Sequence, residues 1–126
     1  MEFILAPELK SELNRIVDRL GFSHIKVKNI VIFRSFGSKS RAIARIWSLP
    51  KIWQIALNTE AYYCLEFVSE KFDRLSPSEK EKVFIHELLH VPKNFSGALL
   101  PHRHRGRKID RRTVDHWHAK LGEGTK

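Results

Sequence analysis

The sequence predicts an α+β domain, and three observations carry that prediction. Apolar residues recur at helical spacing near the start of the chain and again after residue 76. Between residues 24 and 68, β-branched and aromatic residues dominate. The two textures are segregated along the chain, so strands and helices do not alternate as they would in a parallel α/β fold. The expected order is an N-terminal helix, a small mostly antiparallel sheet, a central helix and a C-terminal helix. At 126 residues the length suits one domain, and a single unit over residues 1–126 is expected.

The first helix is expected over residues 7–20. Leu9, Leu13, Ile16, Val17 and Leu20 form its apolar stripe, Pro7 suits the first turn and Gly21 the stop. A first strand is then expected within Ile25–Phe33, where Ile25, Val27, Ile30, Val31, Ile32 and Phe33 supply β-branched and aromatic residues, with a turn or loop at Gly37–Ser40. Ile43, Trp47 and Leu49 suggest another strand, and the run Ile52–Leu57 beyond Pro50 a further one. Tyr62–Val68 reads as a fourth strand, placed at a sheet edge where an extended peptide could add, and it leads into a short amphipathic stretch ending near Leu75. Trp47, Trp53 and Trp117 interleave with apolar positions, which predicts core packing for all three.

Ser76-Pro77-Ser78-Glu79 is the sharpest boundary. It has the form of a capping box, with Ser76 as N-cap, Pro77 in the first helical position and Glu79 reaching back to the free backbone N–H. The helix it opens should reach about Val91, since Pro92 cannot continue it. After a loop containing Gly97 and Pro101, a closing helix is expected over residues 107–120, carrying Ile109, Val114 and Trp117.

Composition excludes several classes. With 42% hydrophobic and 29% charged residues, the chain is that of a soluble globular protein. No apolar run approaches the roughly 18 to 20 residues that cross a bilayer, so no membrane association is expected. Phe3–Ala6, preceded by Glu2, is too short for a signal peptide. Cys64 is the only cysteine, which precludes a disulfide within the chain and favours a cytoplasmic setting, and a monomer is expected. The net charge of +9 is uneven: Arg103, Arg105, Arg107, Lys108, Arg111 and Arg112 fall within ten residues. Such a run is either a solvated face or a surface for non-specific contact with nucleic acid phosphates.

Within the capped helix stands His86-Glu87-Leu88-Leu89-His90. Histidines four apart project from one helix face a turn apart, the separation that two ligands of one tetrahedral zinc ion require. Glu87 lies beside them, where a carboxylate can move a proton between an activated water and a leaving amine. A chain of this composition would contain the pattern by accident about 3% of the time, and its position inside an apolar, capped helix lowers that further. A catalytic zinc needs a third protein ligand. A metzincin-type spacing would require glycine and histidine where Lys93 and Ser96 stand, and the only later glutamate is Glu123 in the tail. His102 and His104 remain, with Asp110, Asp115, His116 and His118 behind them. The segment from Pro92 to Pro101 is long enough to fold back over the helix, and Pro101 restrains the backbone before His102. In an extended segment residues 102 and 104 would face the same side, so His104 stays the alternative third ligand.

Residues from about Arg41 to Thr113 resemble a family of small metallopeptidase domains from archaea and phages. The matching stretches are Arg45-Ile46-Trp47, Pro50-Lys51-Ile52-Trp53, Ser69-Glu70-Lys71-Phe72, His86 to Lys93, Phe95-Ser96-Gly97 and Pro101-His102. In plan the chain is also similar to the minimal zincins of the SprT-like and WLM groups. The resemblance implies a zincin-like fold, a Zn²⁺ site and peptidase chemistry. The pair Pro101-His102 falls within it, which favours His102. Against that, the SprT-like ligand lies just before a glycine and the final helix, as His104 lies before Gly106.

Two functions follow as expectations. One is a zinc-dependent metallopeptidase, with His86, His90 and His102 on the metal, Glu87 as general base and a peptide or protein as substrate. The other is a basic nucleic-acid-associated module in which zinc is structural or vestigial. SprT-like relatives act on proteins attached to DNA, an analogy that suits the basic run.

Overall fold

The computed structural model describes residues 1–123, the Glu123 side chain excepted, so the exclusion of Glu123 as a ligand falls outside the described side chains. The fold is α+β, with a four-stranded, mostly antiparallel sheet flanked by helices. The strands are β1 (Glu2–Leu5), β2 (Ile30–Phe36), β3 (Ala44–Ser48) and β4 (Tyr63–Val68), in the order β1-β2-β4-β3. β1 pairs antiparallel with β2, β2 parallel with β4, and β4 antiparallel with β3. β4 is therefore interior, and β1 and β3 form the two edges. This corrects the expectation that Tyr62–Val68 lies at an edge, and the reason is visible in its side chains: Tyr63, Leu65 and Phe67 are fully buried, as an interior strand requires.

The first helix, α1 (Lys10–Arg19), follows a single 3₁₀ turn at Pro7–Leu9. It ends where Gly21 takes φ +66° and lets the N–H groups of Gly21 and Phe22 bond back to Asp18 and Val17. Leu13 and Ile16 of its apolar stripe reach the core. The β1 strand was not anticipated, because four exposed residues carry no burial pattern; its pairing with β2 alone defines it.

The run expected as a strand beyond Pro50 is instead a helix, α2 (Lys51–Ala56), opened by Pro50 as N-cap. Only Gln54 of this helix is buried, and its amide donates to the carbonyls of Leu49 (2.8 Å) and Ser96 (3.0 Å). Strand propensity in Ile52, Trp53 and Ile55 yields to that anchored polar contact. The prediction of core tryptophans also fails for two of three. Trp47 and Trp53 are half-exposed, at 50% and 55%, while Trp117 packs its ring 4.9 Å from Phe22.

After β4 a short helix, α3 (Ser69–Phe72), leads to α4 (Pro77–Leu88). The capping box at its start is complete: the Glu79 N–H donates to Ser76 Oγ (3.2 Å) and the Ser76 N–H to Glu79 Oε1 (3.3 Å). α4 has two working faces. Phe84, Ile85 and Leu88 are buried against the sheet, where Phe67 lies 4.7 Å from Phe84, centroid to centroid. Full burial of each such side chain stabilises by about 1.5–3 kcal/mol. The opposite stripe, Glu79, Lys82, Val83, His86 and His90, opens on a cleft. The regular helix stops at Leu88, earlier than Val91, because its last turn tightens, with the His90 N–H bonding to Glu87 and the Val91 N–H to Leu88.

The closing helix, α5 (Arg111–Glu123), begins four residues later than expected. Residues 103–108 form a small hairpin instead, β5 (Arg103–His104) against β6 (Arg107–Lys108). Arg105 and Gly106 both have positive φ, at 48° and 76°, the conformation of a two-residue type I′ turn. Asp110 then caps α5 by accepting from the Thr113 N–H at 3.0 Å. α5 docks on α4 through Val114 and Leu121 and through pairs joining Lys82 to Asp115 (3.1 Å) and Glu81 to His118 (2.9 Å).

Candidate metal centre

His86 and His90 lie on the cleft side of α4 and its final turn, as their spacing dictates. A third imidazole comes from the chain that follows. The loop 92–101 folds back because its polar groups are pinned from below. Tyr63 Oη donates to the Ala98 carbonyl (2.8 Å) and accepts from the Gly97 N–H (2.9 Å), while Gln54 holds Ser96. Gly97, at φ +95°, is needed there, since a Cβ would sit 2.3 Å from Gln54 Nε2 and 2.6 Å from the Leu49 carbonyl oxygen. The Leu100 N–H then closes on the His90 carbonyl at 2.7 Å. From the other side, the Ile109 N–H donates to the His102 carbonyl at 2.7 Å, so the hairpin also holds His102.

The outcome is a cluster of three histidines, His86, His90 and His102, each offering one ring nitrogen within 4.8 Å of the others. Their ring centroids are 5.2, 5.4 and 4.7 Å apart. Nδ1 of His90 lies 2.5 Å from the Leu100 carbonyl oxygen. A proton on Nδ1 satisfies that oxygen and leaves Nε2 with its lone pair free, the outer contact that orients a ligating imidazole. His104, one strand position beyond, lines a separate cavity of about 330 Å³ with Phe22, His24 and Trp117 and is not part of the cluster.

The electrostatics suit a cation. Burial, with a smaller contribution from His90 and His102, drives the His86 imidazole down to about 4, so it stays neutral at physiological pH. His90 is lowered as well, again chiefly by burial. Glu87 is only 8% exposed, and burial pushes its carboxyl up to about 8. Its Oε2 lies 3.9 Å from His86 Nε2. Three imidazole nitrogens beside a buried carboxyl lacking a cationic partner form a donor set that fits a divalent transition-metal ion.

The cluster forms one wall of a cleft of about 1150 Å³. β3 and the preceding residues Arg41–Ile43 form the facing wall, and Leu99–His102 with the start of α5 close one side. The edge strand is held by a buried carboxylate that sequence reasoning missed. Glu66, 1% exposed on β4, receives Arg45 through Nε (3.1 Å) and Nη2 (2.9 Å), and Trp47 through Nε1 (2.9 Å). Burial alone would raise the Glu66 carboxyl, but these hydrogen bonds outweigh it and hold it below the usual range. The signal was a glutamate within an otherwise apolar strand run, which calls for a buried partner. Arg103, Arg105, Arg107, Lys108, Arg111 and Arg112 are all exposed on the hairpin and the first turn of α5, and among them only Arg111 lines the cleft.

An α+β domain with three histidines gathered at a cleft, able to hold a metal ion, is the arrangement that a small domain of the metallopeptidase kind requires. The chain belongs to the family described as putative phage metallopeptidase, whose model matches residues 1–119. No curated protein and no solved structure matches it. Among the described residues, no helix is long and apolar enough to cross a membrane.

Proposed function

We propose that this protein is a zinc-dependent peptidase acting on protein or peptide substrates, with His86, His90 and His102 as the metal ligands and Glu87 as general base. The observation that carries the reading is the juxtaposition of the histidine cluster with a buried, unpaired Glu87 at one wall of the cleft. Zinc bound there would act as a Lewis acid, polarising the scissile carbonyl and lowering the pKa of water toward neutrality. A dication on the neighbouring histidines would offset the burial that raises Glu87 and hold it ionised, so that it would take a proton from the attacking water on its carboxylate and then give it to the departing amine nitrogen. Burial keeps bulk water from competing at that carboxylate. The free edge of β3 offers unpaired backbone groups facing the cluster, so an extended substrate can add to it as a further strand. Purified protein is expected to carry about one zinc ion per chain and to cleave an unfolded protein. A chelator should stop cleavage and added zinc should restore it; protein that never retains zinc would refute the reading.

A second reading has one observation in its favour. The six cations of the hairpin and the start of α5 make no ion pair among the described residues and are exposed together. They could bind nucleic acid without sequence preference, whether or not the metal site is catalytic. Affinity should then fall steeply with salt, each phosphate contact adding about 0.9 to the slope of log K against log salt. Neutralising Arg103, Arg105, Arg107 and Lys108 should flatten that slope; an unchanged slope makes the hairpin a solvated face.

A further inference from the structure

Two of the cations around the cleft have no ion-pair partner among the described residues. Among its lining residues, Arg45 is taken up by Glu66, Lys82 by Asp115, and Glu79 by the cap of α4. Two charged side chains remain besides Glu87, and both are guanidinium groups. Arg41 stands where the chain enters β3, and Arg111 is the first residue of α5. Both are exposed, and neither makes an ion pair or a side-chain hydrogen bond among the described residues. They reach the cleft from different walls, so a ligand lying along β3 would meet both.

We infer that the cleft selects acidic peptide segments, with Arg41 and Arg111 receiving carboxylates of the substrate. This rests on the peptidase reading and adds the substrate class to it. Guanidinium groups present fixed forks of donors that match carboxylates in pairs, so unpaired arginines facing a cleft favour such partners. The rest of the lining argues for a peptide over a nucleic acid. One wall is a strand edge with backbone donors and acceptors, and Ile43 and Leu99 add apolar surface. The dense basic hairpin, the better match for a phosphate backbone, does not line this cleft. Half-exposed Trp47, held by Glu66 beneath the Arg45 guanidinium (5.4 Å from its ring), offers a rigid shelf beside these cations.

The test uses zinc-loaded Glu87→Gln protein, which should bind peptides without cleaving them. Three peptides of equal length and apolar content, carrying glutamates, glutamines or lysines at the same positions, are titrated calorimetrically at low salt. The acidic peptide should bind on the order of tenfold more tightly than the neutral one, and the basic one more weakly still. Raising the salt to about 0.3 M should shrink the preference, because exposed charges are screened. Arg41→Gln with Arg111→Gln should remove it while leaving the neutral peptide's affinity and the circular dichroism spectrum unchanged. Equal affinity for all three peptides, no measurable binding of the acidic one, or a preference that survives the double substitution overturns the inference. So does a single-stranded oligonucleotide that binds through Arg41 and Arg111 while the acidic peptide does not. The two readings separate cleanly. Wild-type protein that cleaves all three peptides with the same kcat/KM keeps the peptidase and loses the selectivity. Selective binding without any cleavage by wild-type protein does the reverse.

Discussion

His102→Ala is expected to weaken zinc binding by more than a hundredfold, whereas His104→Ala should leave it nearly unchanged. Both residues lie in the same short segment, so composition and charge are matched between the two variants. The difference lies in what each imidazole faces. His102 contributes a ring nitrogen to the cluster with His86 and His90, while His104 lines the separate cavity beside Phe22 and Trp117. Losing an outer contact to a ligand typically costs 10- to 100-fold in metal affinity, so losing a ligand should exceed that. The same comparison can be read from stability. Zinc at about a hundredfold excess over Kd stabilises a folded chain by about 2.7 kcal/mol, on the order of 10 °C in Tm for a domain of this size. That rise should survive in His104→Ala and be absent from His102→Ala at the same zinc concentration. Competition with a chromophoric chelator gives the affinities, and melting with and without zinc gives the shifts. If His104→Ala is the variant that loses zinc, the assignment is reversed. If neither does, the third ligand lies elsewhere, with Asp110 and Asp115 next in line.

Local signals were legible in the sequence and long-range ones were not. The capping box at Ser76 and the stop at Gly21 are written in adjacent residues, and both stand in the structure as expected. The spacing of His86 and His90 likewise needs only the helix that contains it. The position of His102 depends on Tyr63 and Gln54, which are distant in sequence and fix the loop from beneath. Neither residue carries a mark of that role; only Gly97 hints at a close backbone approach. Sheet order was equally out of reach. β4 is interior because β2 pairs along one side of it and β3 along the other, and both partners precede it in the chain with no local signal of the pairing. The strand reading of Ile52–Leu57 failed through propensity alone, since β-branched residues adopt a helix when a neighbouring buried amide such as Gln54 has partners to satisfy. Consequently the histidine-bearing wall of the cleft was readable in advance, and the facing wall, Arg41 to Trp47, was not.

Glu87→Gln is expected to retain zinc and fold while losing peptide hydrolysis by about 10²- to 10⁴-fold in kcat, the range that a positioned acid–base group contributes. The substitution keeps the shape of the side chain in a site where Glu87 is 8% exposed, so little repacking is required. It removes the one function the amide cannot supply, accepting a proton from water and returning it to the leaving nitrogen. Zinc content separates this role from a ligand role. If Glu87 coordinated the metal, the glutamine variant would lose affinity together with activity. Its place beside His86, and the completeness of the three-imidazole set without it, argue that affinity will persist. Stability sharpens the test in metal-free protein. A buried carboxyl without a cationic partner resists ionisation, so replacing it with a neutral amide should not destabilise the fold and could raise its Tm. A structural or vestigial zinc site predicts a different pattern, in which Glu87→Gln changes no rate because no hydrolysis exists to lose. An active enzyme whose kcat is unchanged by Glu87→Gln would remove Glu87 from the mechanism and leave the proton to be carried by another group at the cleft.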